Sequence, residues 1–233
     1  MAEQPKVVFP LYDGSTLLDF AGATQIFAWA GFTPVWAAVS LDPITTTENV
    51  QVLPRDTFEG VRQKGAVEIL FVPGGGPKVG EAMQDATMID FIRDLGRQAR
   101  YAGSVCTGAF LVAAAGLFDG CEVTTYWGQR ENLALFPNLR VAAGYPRWVI
   151  CGNRFSGGGV SSSIDLALEL VSLISGPTCS MSAQLINQYA PNPPYTSGDP
   201  SQAPPEITSS VRADQQDFSA TIRLAVEKVL EKS

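Results

Sequence analysis

Four short apolar runs, most of them closed by turn residues, constrain this chain more than any other feature. They are "PKVVFPLY" (5–12), "PVWAAVSL" (34–41), "VEILFVPGG" (67–75) and "YAGSVC" (101–106). Runs of this length, apolar without strict alternation, fit strands buried on both faces, which is the situation of a mostly parallel sheet. Parallel strands need crossover connections, and the segments between them have the right period to supply helices. In "DATMIDFIRDLGRQA" (85–99), Met88, Phe91, Ile92, Leu95 and Ala99 recur at helical spacing, while Asp90, Arg93, Asp94 and Arg97 fall on the other side. The chain therefore reads as an α/β protein.

The later segments extend this pattern. "GAFLVAAAG" (108–116) is apolar all round, so its helix is expected to be fully buried. In "SSSIDLALELVSLIS" (161–175), Ile164, Ala167, Leu168, Val171 and Ile174 are expected on the buried face, and Ser162 with Asp165 resembles a capping box. The stretch 189–206 holds six of the sixteen prolines, too many for either periodic structure, and is expected to wrap over the body as an extended loop. After it, Ile207, Val211, Phe218, Ile222, Ala225 and Val229 suit a final helix or two. With no internal repeat and no flexible linker, residues 1–233 are expected to form one domain with a wrapped proline-rich segment and a helical tail.

Charge and cysteine usage exclude several functions. A formal charge of −7 opposes non-specific binding to nucleic acid, whose phosphates would be repelled. No apolar run approaches the roughly 20 residues of a membrane span, and no basic-then-apolar leader precedes the first strand, so the expected setting is cytoplasmic. Cys106, Cys121, Cys151 and Cys179 are widely spaced, and the chain has no histidine, so no metal site and no cofactor are expected. A small-molecule partner remains.

Cys106 stands where a buried strand turns sharply into a buried helix, a layout that exposes a nucleophile at the carboxyl edge of a sheet. A helix terminus lowers a thiol from about 8.5 to roughly 3.5–7.5, which could replace the missing histidine. Burial of an inert thiol is the plainer alternative. The glycine turn "VPGGGPKVG" (72–80) could bring backbone amides close to a ligand, although most such clusters are simply turns. Asp19, in "LLDFAGATQIFA" (17–28), suits an N-cap and suits equally a proton carrier reaching across the sheet edge.

Taken in order, "LLDFAG", "VPGGG", "SVCTGAFLVAAAGLFDG", "VTTYW", "SGGGVSSSIDLALEL" and "YAPNPPYTSGDP" span nearly the whole chain and resemble the ThiJ/PfpI superfamily, most of all its isocyanide hydratase branch. The resemblance implies a flavodoxin-like three-layer sandwich, a homodimer, and addition of water to an isocyanide to give an N-substituted formamide. It implies Cys106 as the nucleophile and Asp19 as the acid hydrogen-bonded to its sulfur. Thr107 and Gly75 would border the reacting atom with their amides, and Gly158 and Val160 would lie in the pocket wall or the adjoining helix start. A thiolate and one positioned acid could then form a thioimidate that water hydrolyses, provided that Asp19 is protonated at rest.

One position departs from the pattern. Relatives commonly read TTHW where this chain has Thr124, Thr125, Tyr126 and Trp127, so superfamily chemistry that needs a Cys-His dyad, including that of the peptidase branch, loses its base. Tyr126 would either wall the pocket with an aromatic ring and a hydroxyl or pack at a dimer contact, the latter being the commoner fate of such a ring. Two other functions compete. The sensor domain of AraC-type regulators shares the CTGAF-type motif, but such chains continue into basic helix-turn-helix motifs, whereas the residues after the proline loop here are balanced in charge. A redox-responsive protein whose cysteine is oxidised without turnover is the other.

Overall fold

The computed structural model describes residues 4–232. Strand β1 (Lys6–Pro10) leads through helix α1 (Leu17–Trp29) to β2 (Thr33–Ala38). A small hairpin of β3 (Ile44–Thr45) and β4 (Gln51–Val52) precedes β5 (Asp56–Thr57) and α2 (Phe58–Gln63). Next come β6 (Ile69–Val72), α3 (Val79–Ala82), α4 (Ala86–Gln98), β7 (Tyr101–Val105) and α5 (Gly108–Ala114). The middle of the chain forms β8 (Glu122–Val123), α6 (Arg130–Leu133), β9 (Arg140–Val141), β10 (Trp148–Cys151) and β11 (Arg154–Gly157). Helices α7 (Ser162–Ser175), α8 (Pro177–Ile186), α9 (Pro205–Asp214) and α10 (Gln216–Leu230) follow.

Seven strands make one sheet in the order β10-β11-β7-β6-β1-β2-β5, parallel throughout except for the antiparallel β10-β11 pair. The two-residue period of a strand sends alternate side chains to opposite faces. Val7, Phe9, Ile69, Phe71, Val105 and Phe155 meet α1, α7 and α8 on one side. Val8, Leu70, Val72 and Ala102 face the other side, where α2, α4 and α5 pack on the sheet and α10 packs on α3, α5 and α6. The result is an α/β sandwich of three layers, and β6 and β7, the strands that lead into the glycine turn and Cys106, lie at its centre.

All four expected strands form, each ending before its apolar run does. The expected helices over 85–99, 108–116 and 161–175 form too, and α5 is buried on every side. The capping box does not form: no side chain caps α7, and Asp165 instead accepts from Arg147 and from Tyr189 Oη at 2.6 Å. The buried stripe of α7 is also turned from the expected one, with Leu166, Ala167, Leu170 and Val171 innermost, because α1 and α8 flank it and half-bury Ile164 and Leu168. Residues 189–204 carry no helix or strand, and α9 begins at Pro205 within the expected loop, proline being well suited to a first helical turn. No helix among the described residues is long and apolar enough to cross a membrane.

Candidate active site

The site is built at the carboxyl ends of β6 and β7. Cys106 follows β7 with φ of 55°, a left-handed conformation that a non-glycine residue rarely adopts. The turn is held in place by its surroundings: Cys106 N donates to the carbonyls of Gly157 and Gly158 at 3.1 and 2.8 Å, and Thr125 Oγ1 donates to the Cys106 carbonyl at 2.7 Å. Strain secured in this way is the mark of a nucleophile elbow. The side chain is only 5% exposed.

Glycines 74 and 75 are required by closeness. A Cβ at Gly74 would stand 2.9 Å from Cys106 Cβ and 2.7 Å from Thr107 N, and one at Gly75 would stand 2.4 Å from the Gly14 carbonyl oxygen. Their amides are committed inward. Gly74 N donates to Asp19 Oδ2 at 2.8 Å, and Gly75 N donates to Thr107 Oγ1 at 2.9 Å while that hydroxyl donates back to the Gly75 carbonyl at 2.8 Å. The Gly75 amide is therefore not a free donor for a reacting atom, contrary to expectation; its part is to clasp Thr107 beside the sulfur.

Asp19 is not an N-cap. It lies in the first turn of α1, after a Thr16 cap whose side chain makes no capping bond, and Glu48 Oε2 satisfies the Leu17 amide at 3.0 Å. Asp19 is fully buried; its Oδ2 takes the Gly74 amide and its Oδ1 has no hydrogen-bond partner, so the expected bond to the sulfur is not formed. Burial pushes its carboxyl from 3.8 up to about 8, against the pull of the Gly74 amide and with a push from the Glu48 charge. Cys106 also differs from expectation. Burial raises its thiol well above the ordinary value, the Asp19 charge adds to this, and the Thr107 amide and hydroxyl offset it only in part.

Tyr12, at the end of the run that forms β1, was not singled out by the sequence. Its buried hydroxyl has no partner, and its pKa is raised by burial and then by the charges of Asp19 and Cys106, which places it with them. Its position at a strand's carboxyl end was the available signal.

Beside the elbow opens a cavity of about 340 Å³, walled by Leu18, Tyr126, Trp127, Tyr145, Val160 and Pro200, with Gly158 also in its lining. Gly158, Val160 and Tyr126 thus share one pocket, while Cys106, Asp19, Thr107 and Gly75 are buried and are not among its lining residues. The proline-rich segment reaches the pocket through Gly198, Asp199 and Pro200. The Tyr126 ring is a pocket wall, and its hydroxyl is held by the Gln215 side-chain amide at 2.9 and 3.1 Å. Among the described residues no group of acidic, cysteine and histidine side chains could hold a metal ion.

The pattern of the DJ-1/PfpI family matches residues 5–173, and this chain, with its strained cysteine on a strand-to-helix elbow and a carboxyl held on the neighbouring glycine turn, belongs to that family. Among curated proteins it is 39% identical over 210 residues to the isonitrile hydratase of Pseudomonas putida, covering 89% of this chain and 88% of that one. It is 31% identical over 173 residues to the HTH-type transcriptional regulator GbdR of Pseudomonas aeruginosa, covering 70% of this chain but 45% of the regulator. Of solved structures, a ThiJ/PfpI family protein from Pseudomonas syringae superposes with a TM-score of 0.90 at 30% identity, over 96% of this chain and 91% of that one. Drosophila melanogaster DJ-1beta, at 17% identity and a TM-score of 0.72 over 81% of this chain and all of its own, shares the flavodoxin-like fold.

Proposed function

We propose that this chain is an isocyanide hydratase, a lyase that converts R–N≡C and water to R–NH–CHO through a thioimidate on Cys106. The observation that carries the proposal is the fully buried Asp19 carboxyl, raised to about 8 and therefore protonated at neutral pH, next to a strained cysteine. Isocyanide hydration is an addition at one carbon, which must gain both a nucleophile and a proton. Asp19 delivers its proton to the terminal carbon as the sulfur attacks and receives the thiol proton, leaving Cys106–S–CH=N–R. Water then adds to that carbon, one of its hydrogens passing to nitrogen. The C–S bond breaks as the hydroxyl proton leaves, which releases the formamide and restores the thiol. No imidazole is needed, in keeping with a chain that has none.

The 39% identity to the isonitrile hydratase of Pseudomonas putida supports the same reading. The aromatic walls of Tyr126, Trp127 and Tyr145 suit a substrate with an apolar substituent. The proposal includes a homodimer working in the cytoplasm, where the four free thiols would stay reduced. Formamide production from a panel of aryl and alkyl isocyanides is the test. If wild-type protein consumes none of them, the hydratase reading fails and a sensing or redox role takes its place.

A further inference from the structure

Three consecutive serines open α7, and two have assigned partners. Ser161 Oγ accepts from Arg147 Nη1 at 3.0 Å, and Ser163 Oγ donates to the Leu18 carbonyl at 3.1 Å, tying the first turn of α7 to that of α1. Ser162 differs from both. Its side chain is fully buried, its Oγ has no hydrogen-bond partner, and it lines the aromatic cavity. A buried hydroxyl without a partner is disfavoured, so native structures seldom keep one without a use.

Its position indicates that use. A Cβ at Gly157 would stand 3.1 Å from Ser162 Oγ, and Gly157 is the residue whose carbonyl, with that of Gly158, accepts from the Cys106 amide. In the sheet β7 lies between β6 and β11. The turn after β6 holds Asp19 through Gly74, and the end of β11 abuts Ser162. In the sheet, then, the turn that holds the carboxyl lies to one side of Cys106 and the strand end that abuts Ser162 to the other, and Ser162 is among the residues that line the cavity.

Resting on the proposed function, we infer that Ser162 is a positioning residue for hydrolysis: its hydroxyl holds the water that attacks the thioimidate carbon. A serine hydroxyl both donates and accepts, so it can orient a water's lone pair toward the carbon while keeping its own proton. The bond formed is O–C, one hydrogen of the water ends on nitrogen, and the C–S bond breaks afterwards, as in the wild-type sequence of steps. Asp19 serves the first half-reaction and Ser162 the second.

The test is Ser162→Ala, followed by rapid-quench kinetics and intact-mass spectrometry with an aryl isocyanide. The expected result is a burst of one substrate consumed per chain at the wild-type rate, then a steady rate lower by about 10-fold or more, with the Cys106 adduct accumulating. Hydroxylamine, a nucleophile strong enough to dispense with positioning, should discharge the adduct and restore turnover. Thermal stability should be unchanged or higher, since the hydroxyl removed has no partner. Wild-type turnover with no adduct build-up in Ser162→Ala overturns the role of Ser162 alone. An equal slowing of burst and steady phases also overturns it, because general damage would then account for the loss. Absence of turnover in the wild type removes the hydratase reading, and this inference with it.

Discussion

Asp19→Asn is the most informative substitution because the structure assigns opposite signs to its effects on rate and stability. The folded chain holds the Asp19 proton far more tightly than the unfolded chain, with a pKa of about 8 against 3.8. Stability from the protonated carboxyl is therefore complete below the unfolded value and is lost as pH rises through the folded one. Each pH unit in that window is worth about 1.36 kcal/mol, so between about pH 5 and about pH 8 the wild type should lose about 4 kcal/mol that an asparagine would not. The Asp19→Asn variant keeps the shape and an oxygen for the Gly74 amide. Its melting temperature should rise relative to wild type by roughly 8–16 °C across that range, taking about 2–4 °C per kcal/mol for a chain of this size. Measuring both proteins at each pH cancels the other titrating groups. Formamide production by the variant should fall about 10²–10⁴-fold, and the wild-type rate should decline above about pH 8 as the acid loses its proton. A melting difference that does not change with pH would mean that Asp19 is ionised in the folded protein, and the proton-donor argument would fail with it.

Cys106→Ser should abolish formamide production with little change in melting, since a serine hydroxyl without a strong base is a poor nucleophile; a wild-type rate would return Cys106 to the role of core filler. Thr107→Val removes the clasp that satisfies both polar groups of Gly75, and should cost about 1–3 kcal/mol in chemical denaturation. It also removes one of the contacts that hold the thiol pKa down, so alkylation of Cys106 at fixed pH should slow; an unchanged alkylation rate would count against the clasp. Light scattering over a dilution series should give twice the 24.9 kDa of one chain, and a persistent single-chain mass would refute the dimer.

What the sequence revealed of the fold follows from what makes a pattern local. β6 and β7 are buried on both faces, so every residue of "ILFV" had to be apolar and the strand announced itself. β10 and β11 extend the same sheet, but "WVIC" lies on an edge and half-exposed, and "RFSG" mixes polar and apolar residues, so neither stood out. Their omission hid the flank of the site on which Ser162 lies. The helix faces were legible in outline, and the rotation of α7 about its own axis was not, because it depends on α1 and α8, whose packing against it no local pattern encodes.

The site was legible in its residues and misread in its energetics. Cys106, Asp19 and the glycine turn could be named because a strand end, an acid within an apolar run and a glycine cluster are all local signals. Which effect controls the thiol was not local. A helix N-terminus favours a negative charge by at most about 2 kcal/mol, and α5 is a buried helix of only seven residues. Desolvation of a fully buried group can shift a pKa by roughly 3–5 units, or about 4–7 kcal/mol, so burial prevails over the dipole. The same burial that keeps the thiol protonated also raises the carboxyl, and this makes the pair suited to its proposed chemistry. A thiolate beside a carboxylate would bring a nucleophile with no proton for the isocyanide carbon. A thiol beside a carboxylic acid holds both, and Asp19 need only give one proton and accept another for the addition to proceed.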